Sequence, residues 1–412
     1  MFRRIVSLFC LIVLVIPLLS GCWDSLDIEK RATVLAISID KAKMDHGTEH
    51  GSQEEKQISN IKGHTSEEDS HLIQLTAQIA VPGRIPLGPQ IGGGGGEGQK
   101  PVWVLSVVGS SLDSAMTNLQ QELSDKLFLG HLRVIILSEE IAKEGVGRFN
   151  DYLRRQSEVR RTAWMAVSKG KASSYMNVAP ELERVPALYL NATVENSVKL
   201  GKFPNNPVGA FWRIHASKGQ DAFLPYLEIK QGGNINLEGL AYFKGDKMKG
   251  HIAPIQIGLQ MALIQQGEGG YAAFYTVPGT NEQVLLRAMK RRAKFKTAIR
   301  NGKPEIWIRI RYENEIIEKE KGKIPINNPK IIKKIEKKFN KEDTKAMEKL
   351  IKKMQKEKSD IFGFGEHIRA RHPSYWSKHV KTLEDWQNIY KNDLSVHVQV
   401  ESQILRTGMK AK

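Results

Sequence analysis

The sequence predicts an α+β, multi-domain protein: a mixed α/β N-terminal domain followed by an α+β C-terminal domain with an antiparallel sheet and inserted helices. Three observations carry this. Between residues 101 and 170 strand-like and helix-like runs alternate, the pattern of strands packed beside helices in a mixed or parallel sheet. In the second half, strand-like stretches with a period of two flank a long run with helical period. At the usual ~100–200 residues per domain, 412 residues are enough for two or three cores.

The chain opens "MFRRIVSLFCLIVLVIPLLSGC": Arg3 and Arg4, an apolar run from Ile5 to Leu19, then Ser20 and Gly21. Charged, apolar and small-residue segments in that order make a secretory signal, and the apolar run is short of the roughly 20 residues a membrane span needs. Residues 1–21 therefore read as a signal peptide. Leu19-Ser20-Gly21-Cys22 matches the bacterial lipobox, in which the cysteine thiol is acylated and becomes the first residue of the mature chain. Cys10 is removed with the signal, so Cys22 has no partner cysteine, which excludes a disulfide framework and a thiolate metal site. Trp23 follows at once. It fits a ring at headgroup level or a core tryptophan covered by the N-terminal domain.

A 22–200 domain comes next. "EKRATVLAISID" reads as its first strand, and a polar loop over 41–70 has too little apolar content to pack. "HLIQLTAQIAVP" alternates strictly, with Ile73, Leu75, Ala77, Ile79 and Val81 on one face and Gln74, Thr76 and Gln78 on the other, the pattern of a half-buried strand. The glycine-rich loop 86–100 lacks the Lys-Ser/Thr of a phosphate-binding loop and the spaced glycines of a dinucleotide fold, so it reads as a connector. Then come strand "PVWVLSVVG", a helix with Leu112, Met116, Leu119 and Leu123 on one face and Ser110 or Ser111 as its cap, strand "HLRVIILS", helix "EIAKEGVGRFNDYLRR" and strand "RTAWMAVSKG". Residues 201–220, with no sustained period, read as a linker, and 221–412 as the second domain.

That second domain begins with a hairpin around Lys244-Gly245-Asp246-Lys247. "KPEIWIRIRYENEIIE" alternates Ile306, Ile308 and Ile310 with Trp307, Arg309 and Arg311, and "DLSVHVQVESQILRTG" alternates Val396, Val398 and Val400 with His397 and Gln399; both read as strands. Between them "NNPKIIKKIEKKFNKEDTKAMEKLIKKMQKEK" places Ile331, Ile335, Phe339, Leu350 and Met354 on one helical stripe ringed by lysines.

The formal net charge of +17 is regional: Arg287 to Lys358 hold 25 lysines and arginines against 10 aspartates and glutamates. Lys333, Lys334, Lys337 and Lys338 form either a solvated face on a helix docked to its own domain or a contact for anionic headgroups, worth about 1 kcal/mol per nearby cation. A basic patch is the usual second signal beside one acyl chain. The region has no aromatic interleaving for base stacking, and nucleic acid is a poor partner for an exported chain.

No zinc-protease, esterase, β-lactamase or calcium-loop motif occurs. His367 and His372, five apart, fall on different helical faces; the adjacent Glu139 and Glu140 point apart; Tyr375, Trp376 and Trp386 stand at core spacing; and "GFG" at 363–365 is too short to carry meaning alone.

The lipobox followed by "CWDSLDIEKRATVLAISID", then "PVWVLSVVGSSLDSA", "FLGHLRVIILSEEIAKEGV", "GLAYFKGDKMKG", "FGFGEHIRARHPSYW" and "VHVQVESQILRTG", in that order, resemble the Ger(x)C family, the C-subunit lipoproteins of spore nutrient germinant receptors. The resemblance runs from Cys22 to Gly408, with the 41–70 loop longer than the family pattern. It implies a non-enzymatic scaffold or coupling subunit with no cofactor beyond the covalent diacylglycerol and N-acyl lipid, of palmitate type, on Cys22. It also implies anchoring on the outer face of the spore inner membrane beside an A-type subunit and a nutrient-binding, multi-spanning B-type subunit. Rival readings are a solute-binding lipoprotein of a transporter, which needs two similar lobes, and a cell-wall hydrolase, which needs a facing carboxylate pair.

Overall fold

The computed structural model describes residue 2 and residues 30–42, 72–84, 100–180, 183–267, 269–320, 325–326 and 328–406. The lipobox, Cys22, Trp23, almost all of the 41–70 loop and nearly all of the glycine-rich loop lie outside them.

A nine-stranded mixed sheet forms the first layer. Its centre is four parallel strands, β1 (Arg31–Lys41), β5 (Val134–Ser138), β6 (Trp164–Ser168) and β7 (Phe223–Ile229). Antiparallel strands extend both sides: β2 (Ile73–Ala80) and β3 (Val102–Gly109) beyond β1, β8 (Ile235–Lys244) and β9 (Lys247–Ile252) beyond β7; the short β4 (Lys126–Phe128) pairs with the start of β1. Helices α1 (Leu112–Gln121), α2 (Glu139–Glu144), α3 (Gly147–Arg155), α4 (Pro186–Lys199) and α5 (Val208–His215) supply the cover that parallel strands require. Ser111 caps α1 by accepting from the Ser114 amide at 3.1 Å, and Ser138 caps α2.

β2 is buried on both faces, not half-buried. The turn at Ser173–Asn177 and α4 cover its polar side, where Gln78 donates to the Met176 carbonyl at 2.8 Å and accepts from the Ala187 amide at 3.0 Å. Alternation marks which face carries polar atoms, and here their hydrogen bonds are met inside the protein. Asp40 of β1 is buried for the same purpose, accepting from the amides of Ala172 and Ser173.

The expected linker at 201–220 does not divide the molecule. Residues 208–215 are α5, and β7 pairs in parallel with β6 through Val167 opposite Tyr226, so three strands of the expected second domain complete the first sheet. The apolar run Phe223, Leu224 and Tyr226 is buried by that pairing.

The second layer is a four-stranded sheet in the order β10 (Ala272–Thr276), β11 (Gln283–Arg300), β12 (Lys303–Lys319), β13 (Ser395–Arg406). It is antiparallel through β12, but β13 runs parallel to β12, because the helical insertion between them returns the chain to the same end of the sheet. That insertion is α7 (Pro329–Glu357), α8 (Phe364–Arg371), α9 (Pro373–His379) and α10 (Leu383–Asn392), with α6 (Pro254–Leu263) packed beside it from the first layer.

Two buried carboxylates join the layers. Asp221, just before β7, accepts from the Gly245 amide (2.9 Å), the Gln387 side chain (2.7 Å) and the Asp360 amide (2.9 Å). Asp360 accepts from the amides of Phe362, Phe364 and Gly365 and from the Trp386 indole at 2.9 Å. The "GFG" stretch gains its meaning here. Gly363 sits at φ +72, and a Cβ on Gly365 would lie 2.6 Å from Gly219 and from Trp386, so only glycine admits this approach. Trp376 and Trp386 pack beside it with centroids 5.3 Å apart, while Tyr375 stacks on His379.

Burial pushes the Asp221 carboxyl up to about 6 and that of Asp360 up to about 7, with the neighbouring Asp221 charge adding to the latter. A raised carboxyl contributes stability that is complete below the unfolded value near 4 and disappears as pH rises through the folded value. Asp360→Asn points an amide at its N–H donors and is expected to cost about 2–4 kcal/mol. By this linkage the cost should be larger at pH 5 than at pH 8; denaturant titrations of both proteins at the two pH values check the sign.

Candidate functional site: the basic helix and the sheet it borders

The sequence dictates α7 locally. Asn328 caps it by accepting from the Lys330 amide at 2.9 Å, Pro329 occupies the first turn, and Lys358 ends it in the left-handed region at φ 56. Its buried stripe is Ile335, Phe339, Asp343, Met347, Leu350, Ile351 and Met354, which includes four of the five apolar positions expected; Ile331 is half-buried. Each fully buried large apolar side chain contributes about 1.5–3 kcal/mol, so the stripe fixes which way the lysines point.

The helix also closes a sheet edge. The Ile404 amide of β13 donates to Glu336 at 2.8 Å, the Val400 amide to Thr344 at 3.3 Å, and the Ser402 hydroxyl to the Glu336 carbonyl at 3.4 Å. Strand groups that would otherwise be open to another chain are thereby covered.

Beneath α7 lies a polar pair of unusual burial. Asp343, facing inward from mid-helix, accepts from the Tyr275 hydroxyl at 2.7 Å, and burial pushes its carboxyl up to about 6. Arg291 of β11 is 8% exposed and donates to the carbonyls of Gly258, Gln266 and Gly267. The rings of Tyr275 and Tyr312 pack on Phe339 at 5.0 and 5.2 Å. The Asp343 hydrogen bond and the ring contacts of Phe339 hold the helix in one rotation about its axis, while Arg291 ties β11 to α6.

Lys333, Lys334 and Lys337 are exposed, and Lys338 is half-buried beside Glu342 at 3.3 Å. Lys334, Lys337 and Lys338 join Lys341, Lys345 and Pro278 around a shallow hollow of about 510 Å³. Lys333 instead faces the sheet side, so the four candidate lysines divide between two surfaces. Cys22, Leu19, Ser20, Gly21 and Trp23 lie outside the described residues.

The remaining candidates are placed in packing. His367 stacks on Phe295 with centroids 4.2 Å apart, and His372 hydrogen bonds Thr297 at 2.9 Å, so both brace β11. Glu139 accepts from the Tyr226 hydroxyl at 2.6 Å and pairs with Lys143. Among the described residues no group of three or more His, Cys, Asp or Glu could hold a metal ion, and no helix is long and apolar enough to cross a membrane. The basic strand β11 is not among the elements that the residue pattern announces; the signal for it is Asn301-Gly302, a two-residue hairpin turn joining it to β12.

Comparison with known proteins agrees with this architecture. Residues 24–229 match the model of the spore germination protein N-terminal domain, and residues 238–408 that of the spore germination B3/GerAC-like C-terminal domain. The chain is 26% identical to spore germination protein KC of Bacillus subtilis, covering 97% of this chain and 95% of that one, and 23% identical to spore germination protein A3 of the same organism, covering 98% of each. The crystal structure of the GerBC protein superposes with a TM-score of 0.55 at 17% identity, over 83% of this chain and 95% of that chain, which establishes a shared fold.

If the lysine face meets headgroups, replacing Lys333, Lys334, Lys337 and Lys338 with Gln in a Cys22→Ala chain should weaken sedimentation with phosphatidylglycerol vesicles at low salt by about tenfold or more. Unchanged sedimentation would leave these lysines as a solvated face.

Proposed function

The chain belongs to the spore germination protein family defined by these two domains, and from that premise we propose that it is the lipid-anchored, non-catalytic C-type subunit of a spore nutrient germinant receptor. The observation that carries this is the ordered match of both family domains along residues 24–408, beginning two residues after Cys22. Acylated Cys22 tethers the body to the outer face of the spore inner membrane, where A-type and B-type subunits assemble with it. β1 begins at Arg31, so fewer than ten residues separate the anchor from the first strand and the folded body stays close to the bilayer. The lysine face of α7 adds electrostatic attraction to anionic lipid, the second signal that reversible single-chain anchoring calls for. The subunit works as a scaffold: its covered sheet and cross-braced layers present surfaces and position partners.

The rival readings find less support. A solute-binding lipoprotein needs two similar lobes about a cleft, whereas here a nine-stranded, mostly parallel-centred sheet stands beside a four-stranded one. A wall hydrolase needs two carboxyls facing across a groove; the adjacent pair Asp221 and Asp360 is buried and satisfied by backbone amides.

The test is nutrient-triggered dipicolinic acid release from spores carrying Cys22→Ala, beside wild type and a deletion strain. Both altered strains should lose the response to at least one nutrient while still germinating with a receptor-independent trigger. A deletion that responds normally in a strain without other receptor sets would overturn the proposal.

A further inference from the structure

On the face of the second sheet that turns away from the helices, β11 and β12 place Arg292 opposite Arg311 and Lys294 opposite Arg309. Directly opposed residues of an antiparallel pair hold their Cβ atoms about 4.5–5.5 Å apart, where like charges destabilise the sheet. Glu401 of β13 offsets one strand, lying 3.0 Å from the Arg311 guanidinium and 3.6 Å from that of Arg309. Arg292 and Lys294 have no ion pair among the described residues, and neither do Lys290 and Lys333.

All six cations line one recess of about 1000 Å³, between this sheet face and the first turns of α7. The carboxylates there are Glu401, shared by the two arginines, Glu336, which also accepts from the Ile404 amide, and Glu313, which the strand register sets opposite Lys290, so six cations face three anions. A surface that opposes like charges twice on adjacent strands, and supplies one carboxylate for every two cations, carries a standing electrostatic cost that an anionic occupant would lower.

We propose that this recess receives an acidic segment of a partner protein. A planar headgroup layer meets flat or convex surfaces, whereas these solvent-reaching cations line a concave recess between a helix and a sheet. The volume is tens of times the ~30 Å³ of a water, far more than a single small anion fills. An extended chain, whose alternate side chains share one face, would bring carboxylates to both cation pairs in turn. Ile326, Ile332 and Ile404 on the walls give its aliphatic parts apolar contact. The chemistry is that of the recess itself and holds apart from the receptor assignment.

The probe is a fluorescein-labelled decaglutamate peptide, titrated by anisotropy with the full chain in neutral detergent. Arg292→Gln with Lys294→Gln is expected to weaken binding about fivefold or more, without lowering the melting midpoint, since like-charge opposition is relieved. Lys333→Gln, on the helical wall and away from the strands, should weaken it about twofold. Lys345→Gln with Lys349→Gln removes the same charge elsewhere on α7 and should change it by less than about twofold. Equal losses from the two double variants would reduce the effect to net charge and overturn the proposal. So would displacement of the peptide by phosphatidylglycerol vesicles or by millimolar inorganic phosphate, which would assign the recess to lipid or to a small anion.

Discussion

The arrangement depends on two aspartates kept out of water. Asp221 belongs to the large sheet and Asp360 to the segment that follows the basic helix, and they exchange backbone contacts: the Asp360 amide donates to the Asp221 carboxylate and the Asp221 amide to the Asp360 carbonyl. A buried carboxylate is tolerated only where donors surround it, and the donors here come from the β8–β9 turn, from α10 and from the GFG loop. Moving any of these elements would strand a charge in the interior. The node therefore works as a register pin: it sets where the helical insertion starts its return, and so where β13 meets β12.

That constraint carries through to the surface. With α8 and α10 fixed by the node, α7 leaves the four-stranded sheet along the edge of β13, with Asp343 and Tyr275 choosing its rotation. The lysines are thereby sorted, most of them toward the hollow beside Pro278 and Lys333 toward the recess over β11 and β12. One cationic region of the sequence becomes two cationic surfaces of different shape, one exposed along a helix and one recessed against a sheet. A membrane and an acidic protein segment ask for those two shapes, and the proposed subunit, held between a bilayer and its partners, would use both.

The two halves also differ in what they leave open. Helices cover both faces of the parallel centre of the large sheet, as parallel strands require, and its polar side chains, such as Gln78 and Asp40, are consumed by internal hydrogen bonds. The four-stranded sheet has helices on one face and along one edge, so its other face keeps charges in solvent. The surface chemistry of this protein concentrates there for a topological reason.

Much of this was legible in the sequence, because periodicity reports local structure. The strands β2, β3, β5, β6, β12 and β13 and the helix α7 with its stripe follow from local residue patterns, the Lys244–Lys247 hairpin from its turn residues, and the regional charge from simple composition. The order of its segments also pointed to the family. What spacing cannot report is which distant groups meet. The covered polar face of β2, the continuation of the first sheet across residues 201–220, the parallel pairing of β13 and the purpose of Gly363 and Gly365 depend on contacts between residues far apart in the chain. So does the opposition of Arg292 to Arg311. Each charge is visible in the sequence, but only the register of two paired strands, set by tertiary packing, makes them neighbours.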